Sequence, residues 1–192
     1  MRPGHIARLV LVASALFIAP WAATAQSGSW LDAPLVPWNS PGMAIPLAPA
    51  IDGNPDPRCL QRDRPPETAE DQALTAAGWR LFLPYQRGWG VTVIAGLAGS
   101  DGMCRPVNYQ WFVFVDGLFA GTISPSPMYS RADGAARDVN LWFADQLSAE
   151  FVRYTPDDAL CCPSGGTTTV EYRLDRTDGG PVVVPLTASL QP

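Results

Sequence analysis

Short runs of apolar residues separated by turn residues dominate the chain from residue 79 onward. Within these runs apolar positions either alternate with polar ones or are continuous, and both patterns are typical of β-strands. Asp116-Gly117, between two such runs, predicts a type I′ hairpin, because both of its central positions need positive φ. The predicted strands cover residues 79–85, 90–97, 107–115, 118–123, 139–143, 149–154, 167–174 and 181–186.

One short helix is predicted ahead of the strands, over residues 68–77. Thr68 can cap it, Glu70 and Asp71 suit its first turn, and Gly78 is a typical stop. Because most strands follow one another through short connections, we expect a mainly antiparallel sheet with this helix packed on one face. The predicted fold class is therefore α+β.

The first 25 residues have the pattern of a secretory signal peptide. Arg2 and Arg8 precede a short apolar run, and a small-x-small site ends at Ala25. The run is too short to span a bilayer, and no later segment is apolar enough to do so. We expect cleavage near Ala25-Gln26 and a secreted or periplasmic protein without a transmembrane segment. The mature N-terminus has no cysteine for an acyl anchor.

Residues 26–66 form a proline-rich segment, and we predict that they are extended, since proline supplies no N–H for a helix or a ladder. Trp30 and Trp38 are too apolar for a free linker, so part of the segment could dock on the domain. Residues 67–188 are long enough for a single domain.

The composition excludes several classes of function. The chain carries a net charge of −5, with no lysine and a single histidine, His5, inside the signal segment. Scattered arginines among more numerous carboxylates do not form a nucleic-acid surface. Without His and Lys the mature chain has no Ser-His-Asp relay, no imidazole ligand for zinc and no Schiff-base chemistry. We predict no cofactor and no enzymatic activity.

Four cysteines in an exported chain predict two disulfides. Adjacent Cys161 and Cys162 rarely bridge each other, so we expect each to pair with one of Cys59 and Cys104, in an order that the sequence leaves open. The alternatives are a redox-active vicinal pair or a zinc site in which all four cysteines are ligands.

Other candidate sites are weak. The acidic positions between Asp52 and Asp63 resemble a calcium loop, but Pro57 stands where such a loop needs glycine, so we predict no metal site. Ser164 lacks a partner base. Acid/base chemistry of the glycosidase type would depend on loop carboxylates, for which the candidates are Asp133, Asp138, Asp157 and Asp158.

The longest interruption between predicted strands covers residues 124–137. Met128, Tyr129 and Arg131 lie in it and would suit a binding surface, although a packed cover loop is an equal alternative.

Three stretches resemble the LppP/LprE lipoprotein family: QWFVFVDGLFAGT at 110–122 followed by SPSPM, DALCCPSGG at 158–166, and TVEY at 169–172. The resemblance covers residues 104–174 and implies an exported cell-envelope protein with no established activity. Family members typically carry a lipid-anchoring cysteine after the signal, where this chain has Gln26.

The functional expectation is a non-catalytic module that binds an envelope protein, a glycan or a lipid. A carboxylate-dependent hydrolase acting on glycans is the second hypothesis, and a purely structural envelope protein the third. A cleft with two facing carboxylates would favour the hydrolase, and an apolar patch near Met128 and Tyr129 would favour binding.

Overall fold

The computed structural model describes residues 29–53 and 55–192, so the predicted signal peptide lies outside the described residues. After a 3-10 helix at Trp30–Asp32 come two α-helices and nine strands. The helices are α1 (Pro57–Leu60) and α2 (Ala69–Ala76). The strands are β1 (Arg80–Gly88), β2 (Val91–Ser100), β3 (Pro106–Val115), β4 (Leu118–Thr122), β5 (Met128–Tyr129), β6 (Ala135–Phe143), β7 (Gln146–Val152), β8 (Thr167–Thr177) and β9 (Gly180–Gln191).

The strands form two antiparallel sheets, which confirms the predicted class but replaces the expected single sheet. The first sheet has the order β1-β2-β3-β4, with β5 paired to β3, and the second has the order β6-β7-β8-β9. Two sheets form instead of one because β2 and β3 are buried along nearly their whole length. A strand with two buried faces needs a layer on each side. The second sheet covers one face and α2 lies against the other.

The main core lies between the two sheets. Val93, Tyr109, Trp111 and Val113 from the first sheet share one cluster of buried residues with Phe151 and others from the second. Alternate residues of each strand point to this layer, as in other β-sandwiches.

A smaller core lies on the other face of the first sheet. Leu74 of α2 packs there with Trp79, Ile94 and Phe112. The predicted helix is confirmed, and it begins with a capping box in which Thr68 accepts from the Asp71 N–H and Asp71 accepts from the Thr68 N–H. An eight-residue helix is marginal alone, so this packing holds it.

The proline-rich segment docks on the domain between residues 29 and 53. Trp30 and Trp38 pack against the main core. Asn39 is buried, accepts from the Thr122 N–H at 2.9 Å and donates to the carbonyls of Thr122 and Val183, each at 3.0 Å. This one amide therefore joins β4 to β9 across the gap between the two sheets.

Side-chain hydrogen bonds join the sheets at other points as well. Gln86 donates to the Val139 carbonyl and accepts from the Leu141 N–H. The Tyr172 hydroxyl donates to the Ile123 carbonyl. These bonds satisfy backbone groups that have no ladder partner at the sheet edges.

The predicted hairpin at Asp116-Gly117 is present, with φ of 50° and 80° at its two central residues. A second turn of the same kind, which was not predicted, lies at Trp89-Gly90, where φ is 51° and 76°. Asn, Asp and Gly usually occupy such turns, so a tryptophan gives no turn signal.

None of the helices in the described parts of the chain is long and apolar enough to cross a bilayer.

Candidate functional site

A cavity of about 590 Å³ opens between the two sheets at one end of the sandwich. Its walls are mostly apolar and come from the end of β2, the start of β3, the start of β6 and the end of β7. The wall residues include Phe82, Leu97, Tyr109 and Trp111 of the first sheet and Ala135, Ala136 and Val152 of the second.

Tyr109 and Ala136 form a fixed link across the cavity. The Tyr109 hydroxyl donates to the Ala136 carbonyl at 2.6 Å, and Phe82 packs edge-on to the Tyr109 ring at 6.1 Å. Burial raises the pKa of the Tyr109 hydroxyl well above its ordinary value, so the group remains a neutral donor. Small alanines opposite these rings leave the space that the cavity occupies.

A bulge in β1 shapes the mouth of the cavity. The pairing of β1 with β2 shifts between Phe82 and Gln86, and Leu83 in this bulge has a φ of 61°. Leu83 is half exposed and lines the cavity. The bulge therefore turns an apolar side chain toward the mouth, as bulges near functional sites commonly do.

Four arginines line the same cavity: Arg62, Arg105, Arg131 and Arg137. Arg105 pairs with Asp101 at 2.6 Å and Arg137 with Glu150 at 2.9 Å. Arg62 and Arg131 form no salt bridge with any described residue. The lining of the cavity therefore combines apolar side chains with two arginines, Arg62 and Arg131, that form no salt bridge within the described residues.

The predicted disulfide pairing is wrong. Cys59 pairs with Cys104, with their Cα atoms 5.0 Å apart, and Cys161 pairs with its neighbour Cys162. Cys59 lies in α1 beside the first sheet, and Cys104 lies in the loop that joins β2 to β3 in that sheet. Cys161 and Cys162 lie in the loop from β7 to β8 of the second sheet. The partners that the sequence suggested therefore belong to different layers.

The loop that carries Cys161 and Cys162 is organised by Asp158. This carboxylate accepts from the backbone N–H groups of Thr155 and Ser164, each at 2.7 Å, and from the Ser164 hydroxyl at 2.6 Å. The hydrogen bonds from Ser164 lower the pKa of Asp158 well below its ordinary value. A general acid needs a raised pKa, so Asp158 is suited to hold the loop rather than to transfer protons.

The other candidate carboxylates are not brought together as a facing pair in the cavity. Asp133 accepts from Arg153 Nε at 2.9 Å and from the Tyr154 N–H at 2.7 Å. Asp138 accepts from the Val139 N–H at 2.9 Å. Asp157 is exposed in the loop before β8. None of these carboxylates lines the cavity.

A smaller cavity of about 350 Å³ lies over the second sheet, and its carboxylates were not predicted. Glu150 and Glu171 line it together with Trp142. Glu150 pairs with Arg137 at 2.9 Å and is more than a third exposed. The indole of Trp142 donates to the Ser148 hydroxyl at 2.8 Å.

The three residues predicted as a binding surface are separated by burial. Met128 is only 6% exposed, and its Sδ accepts from the Ala136 N–H, so its side chain belongs to the core and not to a surface. Tyr129 is half exposed. Arg131 is the one of the three that lines the cavity.

The model of the LppP/LprE lipoprotein family matches residues 88–177, and the predicted resemblance is thereby confirmed. The matched stretch runs from the end of β1 to the end of β8 and contains both Trp111 and Arg131. No curated protein and no solved structure matches the chain.

Proposed function

Since residues 88–177 match the LppP/LprE lipoprotein family, we propose that this chain is an exported cell-envelope protein that binds a small hydrophobic molecule without transforming it. The binding site is the cavity between the sheets.

The apolar cavity is the observation that carries the proposal. Its volume of about 590 Å³ lies within the range of roughly 300–1,000 Å³ that is usual for small-molecule sites. Burying a hydrophobic molecule there removes apolar surface from water on both sides, which contributes about 25 cal/mol for each Å².

Two features support binding without catalysis. Asp63 is the only carboxylate in the cavity lining, and the Arg80 guanidinium holds it through two hydrogen bonds of 2.7 and 2.8 Å. The mature chain also contains neither histidine nor lysine. A carboxylate held in this way is not free to act as a base, and the usual nucleophile activators are missing.

Filling the cavity tests the proposal. Val152 lines it and is partly buried at the end of β7, so a Val152→Trp variant places an indole in the space. Val184 of β9 is also partly buried but lies outside the lining, and Val184→Trp is the matched control. The probe is the neutral dye N-phenyl-1-naphthylamine, whose emission rises in an apolar site.

We expect saturable binding of one dye per wild-type chain, its loss in Val152→Trp and its retention in Val184→Trp. Equal binding by the two variants would place the dye elsewhere. No saturable binding to the wild-type protein would overturn the proposal.

Export itself is tested by the mass of the protein recovered outside the cytoplasm. We expect a mass that corresponds to cleavage between Ala25 and Gln26 with no added acyl group. A retained N-terminal segment, or an increase in mass equal to that of fatty acids, would contradict this part of the proposal.

A further inference from the structure

Two arginines of the cavity lining, Arg62 and Arg131, form no salt bridge with any carboxylate of the described residues. From them we infer that the ligand is a single-chain amphiphile whose apolar chain enters the cavity and whose acidic head, a carboxylate or a phosphate, binds Arg131 and Arg62. This inference rests on the proposed function and specifies the class of ligand.

Most arginines of the described residues form salt bridges, but two of those lining the cavity do not. Of the eleven arginines in the described parts of the chain, eight form a salt bridge with a carboxylate. The three without one are Arg62, Arg131 and Arg176, and the first two line the cavity. Two of the three arginines without a salt bridge in the described residues therefore line one cavity, in a chain whose net charge is −5. Such a local field attracts anions.

Arg131 is the stronger of the two contacts. It is partly buried, and its guanidinium makes no hydrogen bond with any described residue. None of its guanidinium nitrogens is among the buried unpaired atoms of the described residues, so all of them remain accessible to a ligand. A carboxylate or phosphate suits this position because either can accept two parallel hydrogen bonds from one guanidinium.

A buried donor lies in the lining of the same cavity. Trp111 is 5% exposed, and its Nε1–H has no hydrogen-bond acceptor among the described residues. The Nε1 atom itself is enclosed by protein, so a ligand in the cavity would contact Trp111 through the accessible part of its ring.

The surroundings of the mouth suit an amphiphile rather than a small polar anion. Leu83 and Leu160 line the cavity and are 50% and 63% exposed. A free inorganic anion would contact the arginines but would leave these side chains and the apolar interior in water. Charged and apolar groups at one opening match a ligand that has both kinds of group.

Isothermal titration calorimetry at pH 7.4 with three ten-carbon probes tests the inference. Decanoate and decyl phosphate carry the acidic heads, and 1-decanol is the neutral ligand of equal chain length. The test variant is Arg62→Gln/Arg131→Gln. The control is Arg176→Gln, which removes an unpaired arginine that lines no part of the cavity.

We expect wild-type protein to bind decanoate and decyl phosphate at least tenfold more tightly than 1-decanol. The double variant should lose this preference and bind 1-decanol as before, and Arg176→Gln should keep the wild-type affinities. The relative affinity of decanoate and decyl phosphate then distinguishes a fatty acid from a single-chain phosphate ester as the ligand.

Each contrary result has a separate meaning. If the acids and the alcohol bind equally, or if the double variant keeps the preference, the assignment of the head group is wrong while the apolar site stands. If none of the three probes binds, both the proposed function and this inference are wrong.

Discussion

The two ends of the sandwich are built in different ways. At one end four hairpins close through two residues each: Trp89-Gly90, Asp116-Gly117, Ala144-Asp145 and Asp178-Gly179. At the other end, the cavity end, longer connections join β2 to β3, β4 through β5 to β6, and β7 to β8. The nine residues of β6 separate the two ends by about 30 Å, at roughly 3.3 Å per residue.

The two ends also differ in what holds them. Backbone geometry fixes the two-residue turns, whereas carboxylates and disulfides fix the longer connections. Asp101 accepts from the N–H groups of Met103 and Arg105, Asp133 from that of Tyr154, and Asp158 from those of Thr155 and Ser164. Longer connections need these hydrogen bonds and disulfides to hold one conformation. They can also enclose a cavity, and binding sites therefore often lie among them.

Removing the disulfide Cys59–Cys104 should give the largest effect. It closes a segment of 45 residues, so the Cys59→Ala/Cys104→Ala variant should lose about 4 kcal/mol of unfolding free energy in the chain-entropy description. Cys161→Ala/Cys162→Ala should lose almost none, because adjacent residues enclose no chain loop. Urea denaturation measures both, and equal losses would contradict the pairing.

Changing a turn glycine at the hairpin end should have the next largest effect. Gly117 has a φ of 80° and open space around the position of a Cβ, so Gly117→Val should destabilise through backbone strain alone, by about 1–3 kcal/mol. Gly102, in a cavity-end loop, also has open space but no positive φ, so Gly102→Val should change little. Thermal melting distinguishes the two variants, and similar melting temperatures would argue against a strained turn.

Replacing Trp89 should have a smaller effect on the unfolding free energy, and this effect should be stabilising. A bulky residue at φ 51° is unfavourable, and its ring is 60% exposed, so the core gains little from it. Trp89→Asn should therefore stabilise the protein by about 0.5–1 kcal/mol in urea denaturation. A loss of stability would mean that the contact between Trp89 and Phe143, whose ring centroids are 6.4 Å apart, outweighs the strain.

Acidification should have the smallest and most local effect. Folding lowers the pKa of Asp158. The stabilisation of the loop by the ionised carboxylate is therefore complete above the ordinary carboxyl pKa of about 3.9, and it is lost as the pH falls through the lower pKa of the folded state. The protection of the Thr155 and Ser164 amides against exchange, relative to the intrinsic rate at each pH, should therefore persist at pH 4 and fall only in stronger acid. Asp158→Asn should reduce this protection at pH 6. Loss of protection already at pH 5 would contradict the assignment.

The sequence predicts the elements of this fold better than their assembly. Period-two patterns and Asp-Gly turns locate eight of the nine strands, because local side-chain alternation and turn chemistry act over a few residues. The two-sheet arrangement includes contacts between distant parts of the chain, such as those of Asn39 and Gln86, and long-range contacts leave no periodic signal. The predicted disulfide pairing of Cys161 and Cys162 was wrong for the same reason, since disulfide pairing depends on which loops meet in space.

The candidate site was only partly predictable. Arg131 stood out as a charged residue in a long interruption, whereas Met128 beside it is a core residue, since a two-residue strand is too short to show alternation. Trp111 and Leu97 lie in runs that predict buried strands, and nothing in those runs distinguishes a cavity wall from packed core. Cavities arise where facing layers fail to fill the space between them.

Chemical shifts of the tryptophan indole N–H groups on titration with decanoate show which end of the sandwich the ligand occupies. Trp111 lines the cavity, while Trp89 and Trp142 lie in or beside turns at the opposite end. We expect a saturable change in the chemical shift of the Trp111 indole N–H at one decanoate per chain, and no change for Trp89 and Trp142. A saturated complex in which Trp111 keeps its shift and Trp89 changes would contradict it and place the ligand at the hairpin end.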